Sequence, residues 1–494
     1  MDTFVKRQPT TKNIFSYAVG DLFGGGAFFI IGALFLDYLQ GVVLLSGTLA
    51  GLVIMIGKIW DAVSDPCMGY ISDNTRSKHG RRRGYFLMGI VPIFISWVLL
   101  WTDFGLESNL AKFFYYLLVY MLFNTVFTLV MVPYNAMPAE MTDDFNSRSK
   151  LITIRMVFSQ LGMLLGALLP MTIIKLFVDN PSFGYFVMAM VFGVIFSLPW
   201  IFVFKGTYEQ EKELPKKQSK KAMEVIKGIG SDFLSTTKNK AMRLHTAMYI
   251  AAYVSMDIFN AFLIFFIRDY LKLFAYYQVL LGIVVIIQMS ALFMVFKLVN
   301  KFGNATTYRI HATIWAVAVI LLFLVEQQTP VYLVLAVGAI VGVGLSGCVM
   351  TPYNMLAFVV DSDEMITTKR REGIYAGLMT FLRKIAQAIA LFLVGVSLDL
   401  IQYIKPINDV VQPQTTNTLM GIKYIFFLAP LVLLLFGIFT SFRFKLNPKN
   451  YTILKDEITR RKSGDNTPPI SETKTVVESI TGLPYDQLWS IKND

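Results

Sequence analysis

The sequence predicts an all-α polytopic membrane protein, with twelve transmembrane helices in two pseudo-symmetric six-helix halves. Three observations carry that expectation. Apolar residues fall in runs of roughly 19–32, each long enough to cross a hydrocarbon core of about 30 Å. Lysine and arginine concentrate in alternate loops. A six-residue word recurs at the same position in each half.

The 494 residues are 55% hydrophobic and only 16% charged, less charge than a soluble chain of this size carries. The runs cover 13–38, 44–71, 84–103, 111–138, 150–178, 184–205, 244–268, 275–297, 308–326, 330–361, 373–404 and 420–442. No short apolar run with a cleavage site precedes the first, so no signal peptide is expected. With the N-terminus inside, segment 205–243 carries ten Lys/Arg, and the loop after span two carries Arg76, Lys78, Arg81, Arg82 and Arg83. The opposite loops hold only Lys112, Arg268, Lys272, Lys405 and Lys423. This positive-inside bias places both termini in the cytoplasm, with the bacterial cytoplasmic membrane as the expected location. The net charge of +12 therefore tracks topology, which argues against nucleic acid as a partner.

Residues 1–12 form a short basic lead. Span one holds Asp21 about eight residues inside, so that acid should face protein or water rather than lipid. Gly24, Gly25 and Gly26 follow and permit close helix contact. Span two contains KIWDAVSDPCMGY, Lys58 to Tyr70. Asp61 and Asp65 stand four residues apart, on one helical face. Each acid at a bilayer centre costs about 2.5–3.5 kcal/mol on insertion scales. A chain that carries that cost twice uses the charge, most simply to hold a cation or a proton. Lys58, one turn earlier, partly neutralises the pair. The basic turn from Gly69 to Arg83 lets Asp73 pair with nearby arginines, and reads as a structural latch.

Span four ends VMVPYNAMPAEMTDDFNSRSK and span ten ends VMTPYNMLAFVVDSDEMITTKRR. The shared Val-Met-x-Pro-Tyr-Asn word, 219 residues apart, marks an internal repeat. Pro133 and Pro352 either loosen their helices beside Tyr134/Asn135 and Tyr353/Asn354 or only shape packing. On span five, Arg155 either snorkels to the interface or faces a cavity. Span seven carries Asp257 near its middle, span eight Gln288, and span eleven Arg383, Lys384 and Gln387. Helical neighbours point about 100° apart, so only one of Arg383 and Lys384 can readily face inward. The expected organisation is a six-helix half (1–205), a Lys-rich linker (206–242), a second half (243–444) and a cytoplasmic tail (445–494). A short amphipathic helix is expected near 222–234. The polar tail reads as a mostly solvated extension with another such helix at 474–489. Cys67 and Cys348 read as small buried residues, and His79, His245 and His311 form no metal set. No nucleophile–base constellation accompanies the carboxylates, so an enzyme is not expected, nor any cofactor beyond a coupling cation.

Three stretches point to a family: WDAVSDPCMGYISDNTRSKHGRRR, PYNAMPAEMTDDFNSRSKLITIRMVFS and VVDSDEMITTKRREGIYAGLMTFLRK. In order and over nearly the whole chain, they resemble the glycoside–pentoside–hexuronide:cation symporters of the major facilitator superfamily. The resemblance implies a major facilitator fold, with Asp61 and Asp65 as the cation-binding pair. It implies that Thr128 assists them and that Lys58 precedes them as the basic residue. It implies Arg155 near the sugar site and Lys384 of span eleven near the cation site. There are departures. The family's best-known member has an acid where this chain has Met131, a tryptophan where it has Asn135, and a sugar-binding acid that falls at Gly25. The cation machinery thus looks kept and the galactoside groups do not. The span-four pattern also resembles the branch that includes animal lysophosphatidylcholine symporters.

The expected function is cation-coupled uptake of a sugar or glycoside by alternating access, by a monomer in the bilayer, with a lysophospholipid as the alternative cargo. The coupling ion is Na⁺ or H⁺, or Li⁺; if Na⁺, Asp61 and Asp65 are its ligands. Tyr17, Asp21, Asn124, Asn135, Arg155, Asp257, Gln288 and Lys384 are the polar candidates for cargo, with Tyr134 and Tyr353 for stacking.

Overall fold

The computed structural model describes residues 8–142, 144–210, 234–369, 371–405, 412–465 and 467–489. Twelve helices are long and apolar enough to cross a membrane. They are α1 (Thr11–Gly41), α2 (Gly47–Asn74), α3 (Arg83–Leu100), α4 (Asn109–Met141), α5 (Lys150–Phe177) and α6 (Pro181–Gly206). The rest are α7 (Lys240–Tyr270), α8 (Phe274–Phe302), α9 (Asn304–Phe323), α10 (Val331–Thr367), α11 (Ile374–Leu400) and α12 (Thr416–Arg443). Two further helices follow, α13 (Pro448–Lys462) and α14 (Ser471–Thr481). The amphipathic helix expected near 222–234 lies outside the described residues but for its last position.

Local sequence sets the helix starts. The Thr10 side chain accepts from the Asn13 backbone and Asn13 answers at the Thr10 backbone, a capping box that opens α1. Ser46 caps α2 by accepting from Leu49 N at 3.1 Å. Asn180 caps α6, with Pro181 at its first position. Both α4 and α10 remain helical through Pro133 and Pro352. The first helix of each half contains a wide π turn, Ile31–Phe35 in α1 and Phe266–Tyr270 in α7.

The chain packs as two units. The first joins Met1–Ala222 to Asn260–Val285 and Ala388–Ile422. Its α1 lies directly on α5, because a Cβ on Gly25 would stand 2.2 Å from the Ser159 carbonyl oxygen. Trp97, Trp101, Trp200, Phe23 and Phe123 fill its interior. At the N-terminal face the Glu209 carboxylate accepts from the backbone N–H groups of Arg81, Arg82 and Arg83 at 2.8, 2.7 and 3.1 Å. Arg82 also reaches Asp73 at 2.7 Å, and Arg81 pairs with Glu140. The basic turn is therefore a latch, as its composition suggested. At the opposite face, Asp399 caps the start of α2 by accepting from Gly47 N at 2.8 Å and Thr48 N at 2.6 Å. Beside it the Arg268 guanidinium binds Asp37 at 2.7 Å and Asp269 at 3.1 Å, and donates to Tyr403 Oη at 2.8 Å.

The second unit joins Met223–Phe259, Ile286–Gln387 and Lys423–Asp494. In it α9 and α10 touch closely at Gly344 and Gly347, where a Cβ would meet Trp315 and His311. His311 Nδ1 bonds the Val343 carbonyl and His245 Nε2 that of Pro352, both at 2.7 Å. The tail departs from expectation in part. A helix does fall near the expected 474–489, as α14, but rather than a solvated extension the described residues 448–465 and 467–489 fold back onto α10. Tyr451 donates to Asp361 at 2.6 Å, Lys462 pairs with Glu364 at 2.6 Å, and Trp489 N reaches the Met365 carbonyl at 3.0 Å. Leu454, Ile458, Val477 and Ile480 are buried. These apolar positions fall at helical spacing, so two short amphipathic helices cover one another despite the polar composition.

Candidate functional site

In the first unit α2 and α4 run side by side, with Gly57 letting Tyr120 approach. That approach brings Thr128 of α4 opposite the acid pair of α2. Thr128 Oγ1 lies 3.1 Å from Asp61 Oδ1 and 2.8 Å from Asp65 Oδ1. A hydroxyl has one proton, so it cannot give both carboxylates a full hydrogen bond at once. Ser64 Oγ stands 3.3 Å from the same hydroxyl and donates to the Asp61 carbonyl at 3.1 Å. Asp61 is fully buried and Thr128 nearly so. Lys58, one turn before Asp61, is buried with its ammonium 3.4 Å from the Phe28 ring centroid. Asn124 belongs beside this group. Its amide donates to the Gly57 carbonyl at 3.3 Å and the Tyr120 carbonyl at 2.9 Å.

A second cluster in the same unit joins α1, α4 and α5. Arg155 does not extend toward an interface but closes on Asp21, with Nε 3.0 Å from Oδ2 and Nη2 3.3 Å from Oδ1. The guanidinium sits 4.8 Å from the Tyr134 centroid. Tyr17 stacks on Tyr134 at 4.5 Å, and Tyr134 Oη donates to the Tyr17 carbonyl at 2.9 Å. Asn135, the next residue, is exposed. A carboxylate, a guanidinium and aromatic faces supply acceptor, donor and apolar surface together, the chemistry that hydroxylated rings require.

Asp257 lies in the second unit, held by Arg383 through Nη1 at 2.6 Å and Nη2 at 2.8 Å. Gln387, one turn on, donates to Asp257 Oδ1 at 2.9 Å. Of the two basic neighbours on α11, Arg383 grips this acid. The sequence carries a signal for this. Tyr17-x-x-x-Asp21 recurs as Tyr253-x-x-x-Asp257, and Arg383 and Gln387 share a helical face.

Comparison with known proteins bears on the family and the fold. Residues 16–448 match the model of the MFS/sugar transport protein family. The putative glycoside/cation symporter YagG of Escherichia coli K12 is 26% identical, over 86% of this chain and 90% of its own. The sodium-dependent lysophosphatidylcholine symporter 1 of Mus musculus is 25% identical, over 90% of this chain and 88% of its own. Among solved structures, the inward-open xylose transporter of E. coli superposes with a TM-score of 0.57 at 15% identity, covering 86% of this chain and 94% of that one. That likeness shows the major facilitator fold. The fold and family are those of transporters rather than enzymes, and the chain belongs to the MFS/sugar transport protein family.

Proposed function

We propose that this protein is a cation-coupled symporter that carries a sugar or glycoside across the membrane by alternating access. Asp61, Asp65 and Thr128 hold the coupling ion, with Lys58 partly balancing the two negative charges. Asp21, Arg155 and Tyr17 read the cargo. The single observation that carries this reading is the Thr128 hydroxyl within reach of both carboxylates. Two acids and a hydroxyl converge where neither acid is fully solvated, so a monovalent cation or proton entering between them relieves their repulsion. All three groups are oxygen donors, which suit a hard ion such as Na⁺ or Li⁺. The acid pair lies in the same unit as the Asp21–Arg155 cluster. Binding free energy gained at one site then favours the conformation competent at the other.

The two halves marked by the Pro-Tyr-Asn repeat rock against each other, both termini face the cytoplasm of a bacterial cell, and a monomer suffices. A lysophospholipid is the second reading, supported by the likeness to the mouse symporter. The test is uptake into proteoliposomes under an imposed Na⁺ or pH gradient, with sugars, glycosides and a lysophospholipid as cargo. Concentrative sugar uptake that Asp61→Asn abolishes supports the reading. Sugar accumulation that survives Asp61→Asn and Asp65→Asn removes the acid pair from the mechanism. Uptake of lysophospholipid alone replaces the cargo class.

A further inference from the structure

Within the second unit, a groove of about 490 Å³ lies between the starts of α7 and α11. Met242 and Ala247 of α7 and Leu378 and Leu382 of α11 line it, with Arg243 and Thr237 beside them. Both helices start after an even number of crossings, so both starts reach the same membrane surface. Arg243 lies in the first turn of α7, at the depth where lipid headgroups meet a transmembrane helix. The groove continues from there along apolar side chains, at the depth of the first acyl carbons.

The rim is built to hold a positive charge in place. Arg243 is exposed, and its Nη1 donates to the Thr237 and Lys238 carbonyls at 2.6 and 3.1 Å. Those two bonds occupy one nitrogen of a five-donor group and orient the remainder. The turn that accepts them is itself anchored. Asn239 Oδ1 accepts from Ala241 N at 3.0 Å, and its Nδ2 donates to Ser362 Oγ at 2.9 Å. Lys238, in the same turn, is exposed. Among the described residues neither Arg243 nor Lys238 meets a carboxylate. Their basic neighbours are otherwise engaged. Arg371 grips Asp363 at 2.7 and 2.6 Å, and Lys240 packs where a Cβ on Gly482 would stand 2.7 Å away. The α7 start adds the positive end of its dipole to the same rim.

We propose that this groove holds one anionic phospholipid, with its phosphate on Arg243 and Lys238 and an acyl chain along Met242, Leu378 and Leu382. Basic pockets between transmembrane helices take anionic headgroups in this way. A free phosphate has no use for the apolar floor. A zwitterionic headgroup brings an ammonium group to a rim that already carries two unpaired cations. The site shares no residue with the acid pair or the Asp21–Arg155 cluster, so it does not depend on the symport reading.

The test is native mass spectrometry of the purified full-length protein in detergent, titrated with dioleoyl phosphatidylglycerol, dioleoyl phosphatidylcholine and inorganic phosphate. One phosphatidylglycerol is expected to bind about fivefold or more tightly than phosphatidylcholine. Arg243→Gln should remove that preference, and Ala247→Phe, which fills the groove and keeps the arginine, should weaken both lipids. Melting curves show that each variant is folded. Asp61→Asn should bind phosphatidylglycerol as wild type does; a loss there would overturn the site's independence of transport. Equal affinity for the two lipids, unchanged in both groove variants, would overturn the proposal and leave an ordinary lipid belt. Displacement of phosphatidylglycerol by inorganic phosphate, with Ala247→Phe unaffected, would overturn it in favour of a soluble anion. A photoreactive benzophenone side chain at Leu382 should crosslink to lipid; crosslinking to residues 211–233 instead would overturn it in favour of the chain's own linker.

Discussion

Replacing Thr128 by valine removes one oxygen from the acid pair and nothing else of comparable size. That oxygen stands 3.1 Å from Asp61 and 2.8 Å from Asp65, in a position 2% exposed, so water cannot readily take its place. A hydrogen bond to a charged group contributes about 1.5–3 kcal/mol, which corresponds to roughly 10–150-fold in binding. With Na⁺ or Li⁺ as the coupling ion the hydroxyl oxygen is a ligand, and its loss weakens cation binding by about that factor. The assay is sugar binding measured across Na⁺ concentration and across pH in wild type, Thr128→Val and Thr128→Ser. Serine keeps the oxygen and should stay within about threefold of wild type. If Thr128→Val matches wild type in both titrations, the hydroxyl is not part of the cation site and the geometric argument fails.

Three other perturbations follow from the fold. A methyl group on Gly25 would meet the Ser159 backbone at 2.2 Å, so Gly25→Ala should force α1 from α5 at a cost of about 1–3 kcal/mol, read as a lower melting temperature. Asp399→Ala removes the acceptor for Gly47 N and Thr48 N. It should loosen the face opposite the N-terminus, so that a cysteine at Thr48 reacts faster with a membrane-impermeant thiol reagent; an unchanged rate would show that this cap does not hold the face closed. In the tail, burial pushes the Glu457 carboxyl up, but hydrogen bonds from Arg460, Tyr485 and Arg461 outweigh it and hold the group below its usual 4.5. A depressed value contributes stability above pH 4.5, which is lost as pH falls through the folded value. Proteolysis of the tail by a protease active from neutral to acid pH, normalised to an unstructured peptide, should therefore accelerate in wild type as pH falls through the folded value, and Glu457→Gln should show the faster rate already at neutral pH.

The spans were legible because their signal is compositional. A run of about 20 apolar residues has few other uses, and the twelve runs fall on α1 to α12. Their ends were less legible, since apolar character continues past the backbone's turn. The third run extends to 103, yet α3 ends at Leu100, because Trp101 leaves helical geometry while still packing inside. The acid pair was legible because two carboxylates one turn apart in such a run have a cost that needs a reason. Its partner Thr128 came only through family resemblance, since nothing in a lone mid-span threonine marks it. The grip of Arg383 on Asp257 was legible only through the recurrent Tyr-x-x-x-Asp word and the face that Arg383 shares with Gln387, because adjacent residues of like charge do not by themselves reveal the rotation of α11 about its axis. The π turns of α1 and α7 have no recognised sequence mark. The folded tail was hidden by composition. Averaged over the segment it is polar, and only the spacing of Leu454, Ile458, Val477 and Ile480 shows the faces that pack.

The central claim is that the acid pair couples an ion to cargo, and reciprocity tests it most directly. Sugar affinity is measured with and without saturating cation, and cation affinity with and without saturating sugar, in wild type and Asp61→Asn. Linkage requires that the two factors be equal. The account predicts one shared factor well above unity for Na⁺, Li⁺ or H⁺ in the wild type, and a factor of one in the variant. Sugar binding that ignores all three ions, or a coupling factor that survives Asp61→Asn, would contradict it.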